Sequence, residues 1–214
     1  MKERNWHLKK KSNPYYSILY MMVLGVYRLV FFLLLGGRVR MLAEIPPAGP
    51  VLLMSNHIHA LDPFSLALCS PKRQIHFLAK KELFQYKWLA TILRELHAIP
   101  ICRGQYDLPA VRKCMKLLQA GEVLGVFPEG TRGDGKQLQH LQSGAAILAL
   151  RSNATVIPVF IHGKYRLFRG PHIFTGLPII IDDLRAEDAG RDVAGEFMKR
   201  VQAALETLCT EVVR

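Results

Sequence analysis

Two residues able to move a proton, His57 and Asp62, stand with four residues between them in Ser55-Asn56-His57-Ile58-His59-Ala60-Leu61-Asp62-Pro63. At that separation a carboxylate can meet an imidazole across a tight loop. It would hold one ring nitrogen and stabilise the protonated ring, leaving the other nitrogen as a base. His59 lies in the same loop, so spacing alone leaves either histidine open as the base. A second cluster is Phe127-Pro128-Glu129-Gly130-Thr131-Arg132-Gly133. Its glycines allow close backbone approach, and Thr131 brings a hydroxyl. The Arg132 guanidinium can grip a phosphate through two parallel bonds. Glu129 can orient a polyol hydroxyl or brace an arginine. A third stretch, Ile99-Pro100-Ile101-Cys102-Arg103-Gly104, supplies another arginine, Arg103. Two arginines at two strand ends point to an anion site.

Each cluster sits where an element must deliver it. Short apolar runs beginning at Pro50, Ile75, His97, Glu122 and Ala154 each read as a buried strand running into a loop. Between them lie helical signals. Asp107 is an N-cap with Pro109 in the first turn, and Val111, Cys114, Met115 and Leu118 follow at helical spacing before Gly121. A long C-terminal helix carries the stripe Val193, Phe197, Val201, Leu205, Leu208 and Val212. Strands alternating with helices predict one α/β domain over residues 46–214, its mainly parallel sheet flanked by helices. In such sheets, sites form where strands end and loops begin.

Residues 1–45 read differently. Lys2, Arg4, Lys9, Lys10 and Lys11 precede an apolar stretch over residues 15–36 that is broken by Arg28. Its length is near the ~20 residues a helix needs to cross a hydrocarbon core. Basic residues on both flanks give no clean orientation, and Arg28 makes a central position costly. The expectation is a hydrophobic, membrane-associating helical segment sunk into one leaflet, an anchor not needed for the chemistry itself. A core helix is less consistent with its lack of a polar face. Residues 80–89 mix Lys80, Lys81 and Lys87 with Phe84, Tyr86 and Trp88, as an interfacial stretch guiding an acyl chain would, or an ordinary amphipathic helix.

The net charge is +12, from 29 Lys and Arg against 17 Asp and Glu, which implies a polyanionic partner. Nucleic acid would satisfy that charge. No helix-turn-helix, zinc-finger or RNA-binding signature accompanies it, and the apolar N-terminus is out of place there. The four cysteines form no C-x-x-C pair, so a metal site or disulfide framework has little support. A hydrolase built on the same His and Asp would lack a recognisable nucleophile, since no G-x-S-x-G elbow occurs.

Together the clusters resemble the glycerolipid acyltransferase family, specifically the 1-acylglycerol-3-phosphate acyltransferases, over roughly residues 51–163. Asn56, His57 and Asp62 match the family's N-H-x-x-x-x-D block, which selects His57 over His59. Arg103 matches the arginine of a second block, residues 127–132 the F-P-E-G-T-R block, and Val156-Ile157-Pro158-Val159 the fourth. One departure is Leu141-Gln142-Ser143-Gly144-Ala145, where members often carry a basic residue just before the Gly-Ala.

The resemblance implies His57 as general base, Asp62 as its orienting partner and direct attack of a lipid hydroxyl on a thioester. It implies Asn56, Arg103, Glu129, Gly130, Thr131 and Arg132 as the substrate site. Acyl-CoA or acyl carrier protein would be the donor, with no cofactor or metal and no nucleic-acid partner. The acceptor would be the sn-2 hydroxyl of 1-acylglycerol-3-phosphate, yielding phosphatidic acid for phospholipid biosynthesis; another lysolipid or glycerol-3-phosphate is the alternative. The expected location is a membrane surface, with the active site facing the cytoplasm.

Overall fold

A computed structural model of the chain describes residues 18–102, 107–133, 144–186 and 192–213. Among these, seven strands form one sheet: β1 (Arg38–Met41), β2 (Val51–Ser55), β3 (Ile75–Lys80), β4 (Ala98–Ile101), β5 (Val123–Val126), β6 (Thr155–His162) and β7 (His172–Thr175). Their order is β1-β7-β6-β2-β5-β3-β4. The five strands expected from the sequence, β2 to β6, run parallel to one another. The two that it did not disclose form the opposite margin: β7 pairs antiparallel with β6, and β1 parallel with β7. Strand β1 is Arg-Val-Arg-Met and largely exposed. Charge on an edge strand discourages further pairing, and it also hides the strand from an apolar-run search.

Strands β2 and β5 are buried at every position, as a central parallel sheet covered on both faces requires. Alternate residues of β2 supply opposite layers, following the two-residue period of a strand. Leu52 and Met54 pack with Leu124, Val156 and the helices α4 (Leu108–Gln119), α5 (Gly144–Arg151) and α7 (Val193–Val213). Val51 and Leu53 pack instead with Ile157, Val159, Leu66 of α2 (Asp62–Leu68), and Tyr27 and Phe31. The remaining helices are α1 (Ile18–Leu29), α3 (Lys87–Glu95) and the short α6 (Asp182–Ala186). Asp107 caps α4 as expected, its Oδ1 accepting from the Ala110 N–H at 3.0 Å. Gly121 follows at φ 81°, the left-handed backbone that closes a helix. The α7 stripe is also found: Phe197, Val201, Leu205 and Leu208 are buried.

The N-terminal apolar stretch divides its faces. Tyr20, Tyr27 and Phe31 are buried in the domain, whereas Met21, Met22, Val26, Leu29 and Leu33 are exposed. Burying a large apolar side chain contributes about 1.5–3 kcal/mol, so α1 and the widened turn after it (Val30–Leu34) help hold the sheet's second face. This differs from the expectation of an appended anchor. The buried face was not legible because α1 lacks a polar stripe to mark the other side. No helix among the described residues is long and apolar enough to cross a membrane.

Candidate active site

The site lies where β2 and β5, hydrogen-bonded neighbours with Met54 opposite Val126, release their chains at the same end of the sheet. Asn56 leaves β2 and turns its carboxamide onto β6. Its Nδ2 donates to the Ile161 carbonyl at 2.9 Å and its Oδ1 accepts from the Ile161 N–H at 2.8 Å. With Asn56 only 2% exposed, this two-bond clasp braces the loop. Expected from the family block to touch substrate, Asn56 has its carboxamide engaged with backbone 105 residues away.

Next comes His57, 5% exposed. Its Nδ1 lies 2.7 Å from Asp62 Oδ2. A carboxylate can only accept, so Nδ1 carries the hydrogen and Nε2 is the atom left to act as a base on the neutral ring. The same Oδ2 accepts from the Ile58 and His59 N–H groups at 2.6 and 2.7 Å. Asp62, wholly buried in the first turn of α2, therefore folds residues 57–61 around its own oxygen. The two histidines are held differently. His59 Nδ1 accepts from the Leu61 N–H at 3.3 Å, and its ring stacks on Tyr165 at 4.4 Å between centroids.

The loop after β5 completes the enclosure. The Phe127 ring stacks on His57, with centroids 4.3 Å apart and planes 22° from parallel. The Gly133 N–H donates to the His57 carbonyl at 2.7 Å, binding one loop to the other. Gly130 takes φ 70°, a left-handed conformation that favours glycine in the turn where its N–H meets the Phe127 carbonyl. Glu129 is 5% exposed, whereas Thr131 and Arg132 are exposed. The structure thus brings His57, Asp62 and the 127–133 loop together; Arg103 lies outside the described residues. A cavity of about 150 Å³ adjoins the Phe127 side, lined by Leu78, Val111, Cys114, Val126 and Leu148 among others.

Two participants carried no usable sequence signal. Tyr165 donates from its hydroxyl to Asp62 Oδ1 at 2.7 Å across 103 residues. Ser65, inside α2, lies within hydrogen-bond distance of both Tyr165 and Tyr27. Phe127 was visible in its block, though nothing there marked it as the platform beneath the base.

The model of a family described as Acyltransferase matches residues 37–162, more than half of the chain. The chain belongs to the acyltransferase family. The match runs from β1 to the end of β6 and contains His57, Asp62 and the 127–133 loop. Among similar acyltransferases, the 1-acyl-sn-glycerol-3-phosphate acyltransferase of Bacillus subtilis is 32% identical over 128 residues, covering 60% of this chain and 63% of that one. The protein of the same name from Borreliella burgdorferi is 30% identical over 143 residues, covering 64% of this chain and 56% of that one. This chain thus matches less than two thirds of those relatives' own lengths. The crystal structure of PlsC, the 1-acyl-sn-glycerophosphate (LPA) acyltransferase of Thermotoga maritima, superposes with a TM-score of 0.69 at 20% identity. That superposition covers 94% of this chain and 84% of that one, and shows a shared fold.

Proposed function

We propose that this acyltransferase moves a fatty acyl group from a thioester, acyl-CoA or acyl carrier protein, to the sn-2 hydroxyl of 1-acylglycerol-3-phosphate, giving phosphatidic acid. The observation that carries the reading is the buried His57–Asp62 pair at a sheet end, its nitrogen Nε2 without a hydrogen-bond partner among the described residues. His57 Nε2 takes the acceptor's hydroxyl proton as its oxygen attacks the thioester carbonyl. Asp62 stabilises the imidazolium that forms. Collapse of the tetrahedral intermediate breaks the C–S bond, and the thiolate leaves with the proton from Nε2. Arg132, exposed at the rim, and Arg103 grip the acceptor's phosphate, with Glu129, Gly130 and Thr131 shaping the site around the glycerol. The names of the relatives support this acceptor. The apolar cavity beside Phe127 suits the acyl chain.

A lipid acceptor requires a site near the bilayer. Met21, Met22, Val26, Leu29 and Leu33 present apolar side chains outward from α1 and the turn after it. Exposed Leu167 and Phe168 extend that face, because the Phe168 N–H bonds the Leu34 carbonyl at 2.8 Å. Exposed Tyr86 and Trp88 lie at the start of α3. These side chains dock into one leaflet, with the +12 charge drawing the protein to anionic lipid. On this reading the protein works at the cytoplasmic surface, where both acidic donors are available.

The decisive experiment incubates the purified full chain with lysophosphatidic acid and each donor, then repeats it with His57→Ala and His59→Ala. Phosphatidic acid is expected from the parent chain and from His59→Ala, and a fall of about 10²–10⁴-fold for His57→Ala. Loss confined to His59→Ala, or no transfer from either donor, would overturn the reading.

A further inference from the structure

Asp62 has two oxygens, and the His57 loop uses one of them. Oδ2 takes the three hydrogens from His57 Nδ1, Ile58 N and His59 N. Oδ1 takes one, from the Tyr165 hydroxyl at 2.7 Å. Behind Tyr165 stands Ser65, its Oγ 2.7 Å from the Tyr165 hydroxyl and 2.6 Å from the Tyr27 hydroxyl. Four side chains from α1, α2 and the β6–β7 connection thus form one unbroken line.

The direction of every hydrogen in this line follows from its last member. An ionised carboxylate only accepts, so Tyr165 must donate to Asp62. Tyr165 has one hydrogen, now spent, and must accept from Ser65. Ser65 also has one hydrogen and must accept from Tyr27. The polar order is Tyr27 to Ser65 to Tyr165 to Asp62. Each hydroxyl in such a chain polarises the next, strengthening the final bond beyond that of an isolated phenol. Burial raises both phenols, Tyr27 to about 12, so both keep the hydrogens the chain needs. Ser65 and Asp62 are wholly buried, so bulk water does not stand in for a missing partner.

We propose that Tyr165 is a positioning residue for the Asp62–His57 pair, and that Ser65 and Tyr27 extend its hold to α1, so that docking of α1 sets the orientation and strength of the base. This rests on the acyl-transfer reading for its kinetic consequence, though its geometric consequence does not. Tyr27 lies on the same helix that exposes Met22 and Val26. One helix therefore carries both the apolar outer face and the first donor of the line to the catalytic carboxylate. Removing the Tyr165 hydroxyl strips Oδ1 of its donor and concentrates the carboxylate's charge on Oδ2. The carboxylate also loses the bond that fixes its plane, so it no longer holds the His57 ring in one orientation, which lowers kcat, while the charge gathered on Oδ2 raises the acidic limb.

The test uses the full chain in detergent with Tyr165→Phe, Ser65→Ala and Tyr27→Phe, read by acyl-transfer kinetics and by NMR titration of His57. Tyr165→Phe is expected to lower kcat by about ten-fold with the acceptor KM nearly unchanged, and to move the acidic limb of kcat upward by about half a pH unit. The His57 titration should move the same way. Ser65→Ala and Tyr27→Phe should give the same signature at progressively smaller size. Parent-like kinetics and titration for Tyr165→Phe would overturn the proposal. A normal Tyr27→Phe beside an impaired Tyr165→Phe would remove α1 from it. If Tyr165→Phe does not fold, Ser65→Ala decides by the same two readouts. An inactive parent chain would count against the acyl-transfer reading alone, since the His57 titration still reports the line.

Discussion

Replacing Asp62 by Asn tests the catalytic pair with the least disturbance to the fold. Asp62 accepts four hydrogen bonds: three at Oδ2 and one at Oδ1. Asparagine retains an acceptor oxygen for the first three, provided its Nδ2 takes the Oδ1 position and faces Tyr165. The phenol can rotate and accept from it, reversing the hydroxyl line towards Ser65 and Tyr27. Shape and tautomer survive, and the charge does not. Two unit charges about 4 Å apart attract by about 4 kcal/mol at the effective dielectric of about 20 that holds even for buried sites in proteins. Some of that attraction already appears as the difference between a charged and a neutral hydrogen bond, about 1–2 kcal/mol. A net loss of about 2–3 kcal/mol in the transition state, where the imidazolium forms, corresponds to about 30- to 160-fold in kcat. The expected stability loss is smaller, about 1–2 kcal/mol. Asp62→Ala would be a poorer probe, because it orphans two backbone N–H groups at about 1–3 kcal/mol each. Thiol release during steady-state turnover gives kcat, and a melting curve checks the fold. A kcat within three-fold of the parent, in a folded Asp62→Asn protein, would refute the role of the carboxylate's charge.

Other expectations concern the acceptor, the membrane and acid stability. Arg132→Ala should raise the acceptor KM by about ten-fold, and Arg132→Lys should recover only part of it, because an ammonium cannot reproduce a two-bond grip; steady-state kinetics at saturating donor measure both. Met22→Asp with Val26→Asp should weaken vesicle flotation and slow acylation of long-chain lysolipid, while turnover of a short-chain soluble acceptor stays within about two-fold, since both side chains point away from the core. Deleting residues 1–36 should instead cost the fold itself, visible as loss of a cooperative melt, because it removes buried Tyr20, Tyr27 and Phe31. His76 is neutralised mainly by burial, with His97 and Lys113 adding to the effect, and its pKa falls from 6.5 to about 4. The unfolded chain therefore binds a proton that the folded one refuses, so stability is present above about 6.5 and drains away as the pH falls towards about 4. His76→Leu should flatten the melting temperature across that interval.

What was legible in the sequence followed from one physical rule. A strand buried on both faces must be apolar along its buried run, and β2 as far as Met54, β5 and the inner part of β6 are. Their ends were therefore visible, and with them the loops holding His57, Asp62 and residues 127–133. Strand β4 was legible despite Pro100 because it lies at the sheet margin, where a missing backbone N–H costs least. The opposite margin was not, since β1 interleaves arginine and β7 is bounded by the polar residues His172 and Thr175. The long-range bonds of Asn56 and Tyr165 were illegible for a different reason. Each residue makes its decisive bond across more than a hundred residues, to Ile161 and Asp62 respectively. No local periodicity records a partner at that distance.

The way His57 is held says where adaptation to substrate must occur. Its backbone is clasped on one side by Asn56 on Ile161, and its own carbonyl is bound by the Gly133 N–H. Its ring is fixed edgewise by Asp62 and facewise by Phe127. Four independent contacts leave the base little freedom, and a base held in advance spares the reaction the entropy of orienting it. On the proposed function the acceptor is a lysolipid, which has many rotatable bonds and arrives from a fluid phase. It must be brought to Nε2, since Nε2 cannot go to it. On that reading the task falls to Thr131 and Arg132, which are exposed, at the head group, and to the apolar cavity lining behind Phe127 for the acyl chain. Changes of acceptor or chain length should therefore respond to substitutions at the rim and in the cavity. Substitutions in the His57 clasp should depress every substrate alike.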